Sequence, residues 1–169
     1  MVKEIPIAGG CVALVDDGDY DRLSEISWHI CRRKRVCGPD ALYARGYVGT
    51  VNGKMIRKFM HCMILVIAGP VDHKDGDGLN NQRANLRPAT NSRNGANRLY
   101  SKPNPSSPYR GVWWAKVNKK WRSAIKVDGK YIHLGLFTDE VEAALAYDDA
   151  ARKFFGEFSR PNFELSDAA

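Results

Sequence analysis

The chain has 169 residues and a formal net charge of +7, enough for one domain or two small ones and too little for two large cores. No run approaches eighteen apolar residues, which excludes a membrane-spanning helix, and Met1-Val2-Lys3-Glu4-Ile5-Pro6 lacks the basic region and apolar core of a secretory signal. The four cysteines, Cys11, Cys31, Cys37 and Cys62, form no Cys-x-x-Cys pair, so free thiols in a reducing cytoplasm are expected rather than a zinc or disulfide framework.

Residues 1 to about 60 read as short strands. The apolar run Cys11 to Val15 is closed by Asp16-Asp17-Gly18-Asp19, a turn with a following helix cap, and Tyr20 to Ile26 has room for one or two helical turns. Ser27 to Arg32 is a predicted strand. Arg32 to Arg35 form a basic loop, either solvated or in contact with phosphates. Leu42 to Thr50 and Lys54 to Met60 flank Val51-Asn52-Gly53, a strong hairpin signal, and Arg45, Arg57 and Lys58 add positive charge to these strands. His61, expected as a structural histidine at the core edge, precedes the apolar segment Met63 to Ile67, a buried helix or strand. Ala68-Gly69-Pro70 breaks that segment.

Next comes Val71-Asp72-His73, a Gly-rich turn over Asp75 to Gly78, then Asn85-Leu86-Arg87, a Pro, and a polar stretch from Thr90 to Arg98 that can start a helix. The order is strand, turn, strand, helix. An EF-hand loop starting at Asp75 fails, because Leu79 and Leu86 fall where ligands belong. An Asx-rich surface turn accounts for Asp75 to Asn81 but not for His73, Asn85 and Asn94 together. Adjacent strand residues point to opposite faces, so Asp72 and His73 share a site only where the strand ends or kinks. From Gly78 to Val127 there is no acid, while Arg83, Arg87, Arg93, Arg98, Lys102, Arg110, Lys116, Lys119, Lys120, Arg122 and Lys126 fall there, an electrostatic footprint for polyphosphate.

The Asp72-His73 pair, Asn85 twelve positions on and Asn94 nine further resemble the HNH endonuclease family, in particular the small homing-type nucleases of phages. The resemblance implies a ββα-metal motif over about 71–98, with His73 as general base, Asn85 orienting the His73 ring, and Asp72 and Asn94 holding the metal. The oxygen ligands suit one divalent cation, Mg²⁺ or Mn²⁺, better than Zn²⁺. The last ligand departs from the commonest form, being Asn94 rather than His.

After Arg98, residues 99–108 read as a semi-extended linker rich in Ser and Pro. Trp121 to Val127 alternates, with Trp121, Ser123, Ile125 and Val127 on one face and Arg122, Ala124 and Lys126 on the other. Asp128-Gly129 is a type I′ signal, and Tyr131 to Gly135 a third strand with Ile132 and Leu134 inward. A helix follows, capped at Thr138 or Asp139, with Val141, Ala144, Leu145, Ala151 and Phe154/Phe155 giving its period and Gly156 ending it.

Tyr109-Arg110-Gly111-Val112, Trp121, Ile125, Leu134-Gly135, Phe137, Glu142-Ala143-Ala144, Ala146-Tyr147-Asp148, Ala150-Ala151 and Gly156 through Phe163 resemble, in register, the Apetala-2/ethylene-response-factor DNA-binding domain. That implies a sheet laid in the DNA major groove with the helix behind it. Arg110, Arg122, Lys126, Tyr131 and His133 would face DNA, with Lys116, Trp113 and Trp114 on the first strand. One of these two tryptophans is expected in the core and one exposed.

The expected protein is α+β: N-terminal β-hairpins with a ββα-metal nuclease motif in residues 1–98, the linker 99–108, then a three-stranded antiparallel sheet packed on one helix in 109–163. The expected activity is cleavage of double-stranded DNA to 5′-phosphate and 3′-hydroxyl ends by a monomeric, cytoplasmic, homing-type enzyme; whether one strand or both are cut stays open, with one active site per chain favouring a nick by a monomer. The alternatives are a non-catalytic DNA-binding regulator and an RNA-binding protein stacking bases on Trp113 and Tyr131.

Overall fold

The computed structural model describes residues 1–35, 38–98 and 106–164. Cys37 and most of the expected linker lie outside that set. The chain is α+β and divides into two compact units, Met1–Thr90 and Asn91–Ala169.

The first unit begins with a hairpin of β1 (Val2–Ile7) and β2 (Cys11–Asp16), paired from Val2↔Asp16 to Ile7↔Cys11. Alternation puts Ile5, Ile7, Ala13 and Val15 inward. The helix α1 (Asp17–Ser24) starts earlier than the sequence suggests and buries Leu23. Then β3 (Trp28–Arg33), β4 (Ala41–Val51) and β5 (Lys54–Phe59) form an antiparallel sheet in that order. Arg32 and Arg33 therefore belong to a strand, not to a loop. Asn52 and Gly53 both have positive φ, 50° and 73°, as a type I′ turn requires. The helix α2 (Met60–Leu65) settles the open choice for the apolar segment; it buries Met60, His61 and Ile64. Finally β6 (Val71–His73) pairs with β7 (Leu86–Pro88). One core joins these elements: Ile5, Ile7, Ala13, Val15, Leu23, Trp28, Ala44, Met60, Ile64, Val71 and Leu86.

The second unit begins at α3 (Asn91–Ala96), which the sequence places with the nuclease. Polar contacts explain its membership. The Arg110 guanidinium donates to the carbonyls of Ala96 (3.0 Å) and Arg98 (2.6 Å), and Arg160 Nε donates to Asn97 O at 2.9 Å. Ser106 Oγ accepts from Trp114 N and Ser107 Oγ from Tyr109 N, each at 3.1 Å. The strands β8 (Val112–Ala115), β9 (Lys120–Val127) and β10 (Lys130–Phe137) form a sheet with β9 central, and Asp128-Gly129 turns β9 into β10 at φ of 47° and 85°.

The helix α4 (Glu140–Phe155) is capped by Asp139, whose Oδ1 accepts from Val141 N at 2.8 Å and Glu142 N at 3.0 Å. Its buried side differs from the expected one. Ala143, Ala144, Tyr147, Asp148, Ala150, Ala151 and Phe155 are inside, while Val141, Leu145 and Phe154 are exposed. Alanines allow close approach, and Val112, Ala143 and Ala144 form a buried cluster against which Tyr109, Trp121, Phe137 and Phe163 pack. A bulge between His133 and Gly135 shifts the register of β10. Phe137 rather than Leu136 therefore sits opposite Trp121, and Leu136 sits opposite Arg122. No described helix is long and apolar enough to cross a membrane.

Candidate active site

The strand β6 is only three residues long, and all three are buried. It stops at His73, where the chain turns: Gly76 N donates to His73 O at 2.9 Å and Lys74 N to Asn85 O at 2.9 Å. The strand end is what lets neighbouring Asp72 and His73 serve one locality despite strand alternation. Asp72 is 2 % exposed, and its Oδ2 accepts from both Nε and Nη2 of Arg87 at 2.8 Å. Asp72 and Arg87 are directly paired across the β6–β7 ladder, so the ion pair follows from register.

His73 sits in an aromatic pocket. The ring centroids of His61 and Tyr43 lie 5.1 Å and 5.9 Å away, and His61 stacks on Phe59 at 5.2 Å with 6° between the planes. Burial pushes the His73 imidazole below its usual value. A contact from the Asn81 side chain and the carboxylates of Asp75, Asp72 and Asp77 pull the other way without prevailing. His61 is pushed down to about 3, first by burial and then by positive charge on His73 and Arg33. Its Nδ1 is buried without a hydrogen-bond partner. The expected structural histidine is thus a neutral wall of the His73 pocket.

Asn85 has a different role from the one expected. Its Oδ1 accepts from Asp75 N at 3.1 Å, and its Nδ2 donates to Asp75 Oδ1 at 2.9 Å and Asn80 O at 2.8 Å. The amide is consumed in closing the turn and acts on the loop, not on the His73 ring. The residue whose side chain meets His73 is Asn81, 1 % exposed, with Nδ2 on Leu79 O at 3.0 Å. Asn81 Oδ1 is buried without a hydrogen-bond partner among the described residues. Asn81 hides in the sequence as one more Asn in an Asx-rich turn; only its place beside the apolar Leu79 hints at burial.

The loop is also fixed from behind. Leu14 N donates to Leu79 O at 2.9 Å and Asn81 N to Leu14 O at 2.7 Å. Arg83 reaches buried Asp19 with Nε at 2.7 Å and Nη2 at 2.8 Å, and Arg22 joins the same carboxyl. Burial raises the Asp19 pKa, but the hydrogen bonds from Arg83 and Arg22 outweigh it, and the carboxyl is held below its ordinary value. A Cβ at Gly78 would collide with Leu42 O and the Tyr43 ring, so the loop lies flush on β4. Asn94, the expected second ligand, lies on α3 in the second unit. Among the described residues no three His, Cys, Asp or Glu side chains are grouped to hold a metal; Asp72 is the sole member of those types in the expected ligand pair.

In the second unit, pairing puts Trp113 opposite Arg122, Tyr131 opposite Lys126 and His133 opposite Ala124, so Arg122, Lys126, Tyr131 and His133 share one face. Arg122 Cζ lies 5.5 Å over the Trp113 ring, and Lys126 Nζ lies 5.3 Å over Tyr131, which is 74 % exposed. Trp114 is the more exposed tryptophan and meets Trp121 edge-on. Two expected members do not join this face. Arg110 spends its guanidinium on Ala96 and Arg98 carbonyls, and Lys116 is in the β8–β9 turn rather than on a strand.

No family model matches the chain. An ethylene-responsive transcription factor-like protein of Arabidopsis thaliana is 52% identical over 58 residues, which are 34% of this chain and 24% of that protein. APETALA2-like protein 2 of Oryza sativa is 47% identical over 62 residues, 37% of this chain and 14% of that protein. An HNH endonuclease of Acanthamoeba polyphaga mimivirus is 34% identical over 115 residues, 65% of this chain and 58% of that protein. The matched segments thus span a quarter or less of these plant proteins and under two thirds of the viral one. Homology to an HNH endonuclease over 65% of the chain, with homology to AP2/ERF transcription factors over about a third, fits a protein that combines an HNH domain with an AP2 domain.

Proposed function

We propose that the chain is a metal-dependent DNA endonuclease of the HNH homing type, cutting a phosphodiester near a site selected by the β8–β9–β10 face. The observation that carries this reading is His73: an imidazole held in its neutral form by burial, at the end of a strand, next to a buried carboxylate. A neutral imidazole can take a proton from water. Asn85 and Asn81 hold the turn and ring that position it. Asp72 and Asn94 offer hard oxygen donors, a set suited to Mg²⁺ or Mn²⁺, with Asp72 shared between the ion and Arg87. When bound, such an ion would polarise the scissile phosphate and stabilise the leaving oxygen. In this reading β6, β7 and α3 make the ββα-metal motif, and the second unit lays its sheet in the major groove of double-stranded DNA with Arg122, Lys126, Tyr131 and His133 toward the bases. One active site per chain makes a monomer a nicking enzyme.

The high identity to plant transcription factors favours a second reading, a DNA-binding regulator without catalysis. Plasmid nicking separates the two. The nuclease reading expects nicks with Mg²⁺ or Mn²⁺, none in chelator, and a loss of about 10²- to 10⁴-fold in single-turnover rate for His73→Ala with DNA affinity retained. Binding without nicking in any divalent ion leaves the regulator.

A further inference from the structure

Cross-strand partners in the first unit's three-stranded sheet fix what its outer face carries. Arg33 lies opposite Ala41, Tyr43 opposite Cys31, Arg45 opposite His29 and Phe59, and Tyr47 opposite Arg57. Residues directly opposite share a face, so Arg33, Tyr43, Arg45, Arg57 and Phe59 project together. Arg33, Arg45 and Arg57 are exposed. The sequences of β3, β4 and β5 contain no Asp or Glu, and among the described residues no carboxylate pairs with any of these three arginines. Two of the guanidiniums rest on rings instead: Arg33 Cζ lies 5.7 Å from Tyr43 and 5.5 Å from Phe59, and Arg45 Cζ 5.6 Å from Phe59. A ring face orients a guanidinium without neutralising it, leaving its donors for an anion. The same Tyr43 ring meets His73 at 5.9 Å, so the cationic face starts at the candidate base and runs outward across the sheet.

We propose that this face is a sequence-independent track for the DNA backbone, on which Arg33, Arg45 and Arg57 bind the phosphates of the strand flanking the bond presented to His73. The occupant follows from charge. An acid-free strip of unpaired guanidiniums is complementary to a polyanion, and the forked donors of Arg match phosphate oxygens. The track rests on the nuclease reading for the identity of its ligand. It divides labour differently from the second unit: backbone contacts here, base contacts there.

The test uses the full chain and the double variant Arg45→Gln/Arg57→Gln, leaving Arg33 beside the His61 pocket untouched. Affinity for a defined duplex is measured without divalent ions over a salt series, on the recognised sequence and on unrelated ones, beside single-turnover cleavage at saturating DNA. Losing two phosphate contacts should reduce the magnitude of the log K against log salt slope by about two, equally for every sequence. Arg45→Lys/Arg57→Lys should restore the slope, because the slope counts charges. An unchanged slope, a loss confined to one sequence, or failure of the lysine pair to restore it overturns the track, as does an arginine-dependent preference for single-stranded RNA over duplex DNA. If the wild type cuts DNA and the slope does not move, the track alone is wrong. If the slope moves as stated and nothing cuts in Mg²⁺ or Mn²⁺, the nuclease reading is wrong and the track stands. A wild type that binds no duplex overturns both.

Discussion

The β6–β7 hairpin and the outer face of β8–β9–β10 are both small antiparallel surfaces carrying histidine and cationic side chains, and they treat those groups in opposite ways. In the hairpin Asp72, His73, Asn81 and Arg87 are buried, and the polar groups are fixed: Asp72 on Arg87, Asn85 in the turn, Asn81 beside His73. On the other sheet Arg122 and Lys126 are exposed and lie over the half-buried Trp113 ring and the exposed Tyr131 ring. The first arrangement spends desolvation to hold groups in one geometry, which is what acting on a reactive atom requires. The second keeps its charges hydrated and adaptable, which is what reading a surface of variable sequence requires.

The sharpest way to break this contrast is to open the buried pair. Arg87→Met should take the guanidinium away from the buried Asp72 carboxylate and cost the first unit about 3–5 kcal/mol in denaturant unfolding. A change below about 1 kcal/mol would be the value of a surface pair and would remove the distinction. A smaller effect is expected on the other sheet. Arg122→Ala and Lys126→Ala should each weaken DNA binding by about 1–3 kcal/mol where a base contact is lost, or uniformly across sequences where the contact is to phosphate, with no loss of thermal stability. Unfolding of the single variants would show that these cations hold the sheet together rather than face a ligand.

The mildest effect is a pH dependence confined to the first unit. The folded-state pKa of His61 is about 3, below its ordinary value of 6.5. Between those values the unfolded chain binds a proton that the folded one excludes. The stability from His61 is therefore complete above pH 6.5 and lost as the pH falls, by about 1.4 kcal/mol per unit. Burial lowers His73 in the same direction. Asp19, held below its ordinary 3.8, gives way only at more acid pH. Unfolding titrations between pH 7 and 5 should show this slope, and His61→Phe should flatten it; an unaltered slope in that variant would place the sensitivity elsewhere.

What the sequence discloses here is mostly local. Asn52-Gly53 and Asp128-Gly129 mark their hairpins because type I′ turns demand positive φ at both positions. Asp139 marks the start of α4 because it caps within its own turn. Arg122, Lys126, Tyr131 and His133 fall together because alternation needs no partner knowledge, although the bulge before Gly135 brings Phe137 rather than Leu136 opposite Trp121. Long-range pairing is where the reading fails. Arg83 reads as part of a polyphosphate footprint and Arg110 as a DNA-facing cation until Asp19, 64 positions away from Arg83, and the carbonyls at the end of α3 are in view. The family resemblance points to Asn85 for the His73 ring and leaves Asn81 in the turn, whereas the fold brings the Asn81 side chain to His73 and bonds Asn85 within the loop. On α4 the larger apolar side chains mislead, because the close approach of a helix to a sheet favours alanine.

The fully buried Asp148 ties the end of the chain to the middle of α4. Its Oδ1 accepts from Asn162 N at 2.7 Å and Asn162 Nδ2 at 3.0 Å, and its Oδ2 from Phe163 N at 2.9 Å. Asn162 Oδ1 in turn accepts from Arg110 N at 2.6 Å, so the segment entering β8 and the segment leaving α4 are stitched side by side. A fold whose two ends meet can be spliced into a surface loop of an unrelated host without spreading the host open. Such a graft must carry everything from Arg110 through Phe163; one that stops short of Asn162 would strand a buried carboxyl without its donors and release both ends at once.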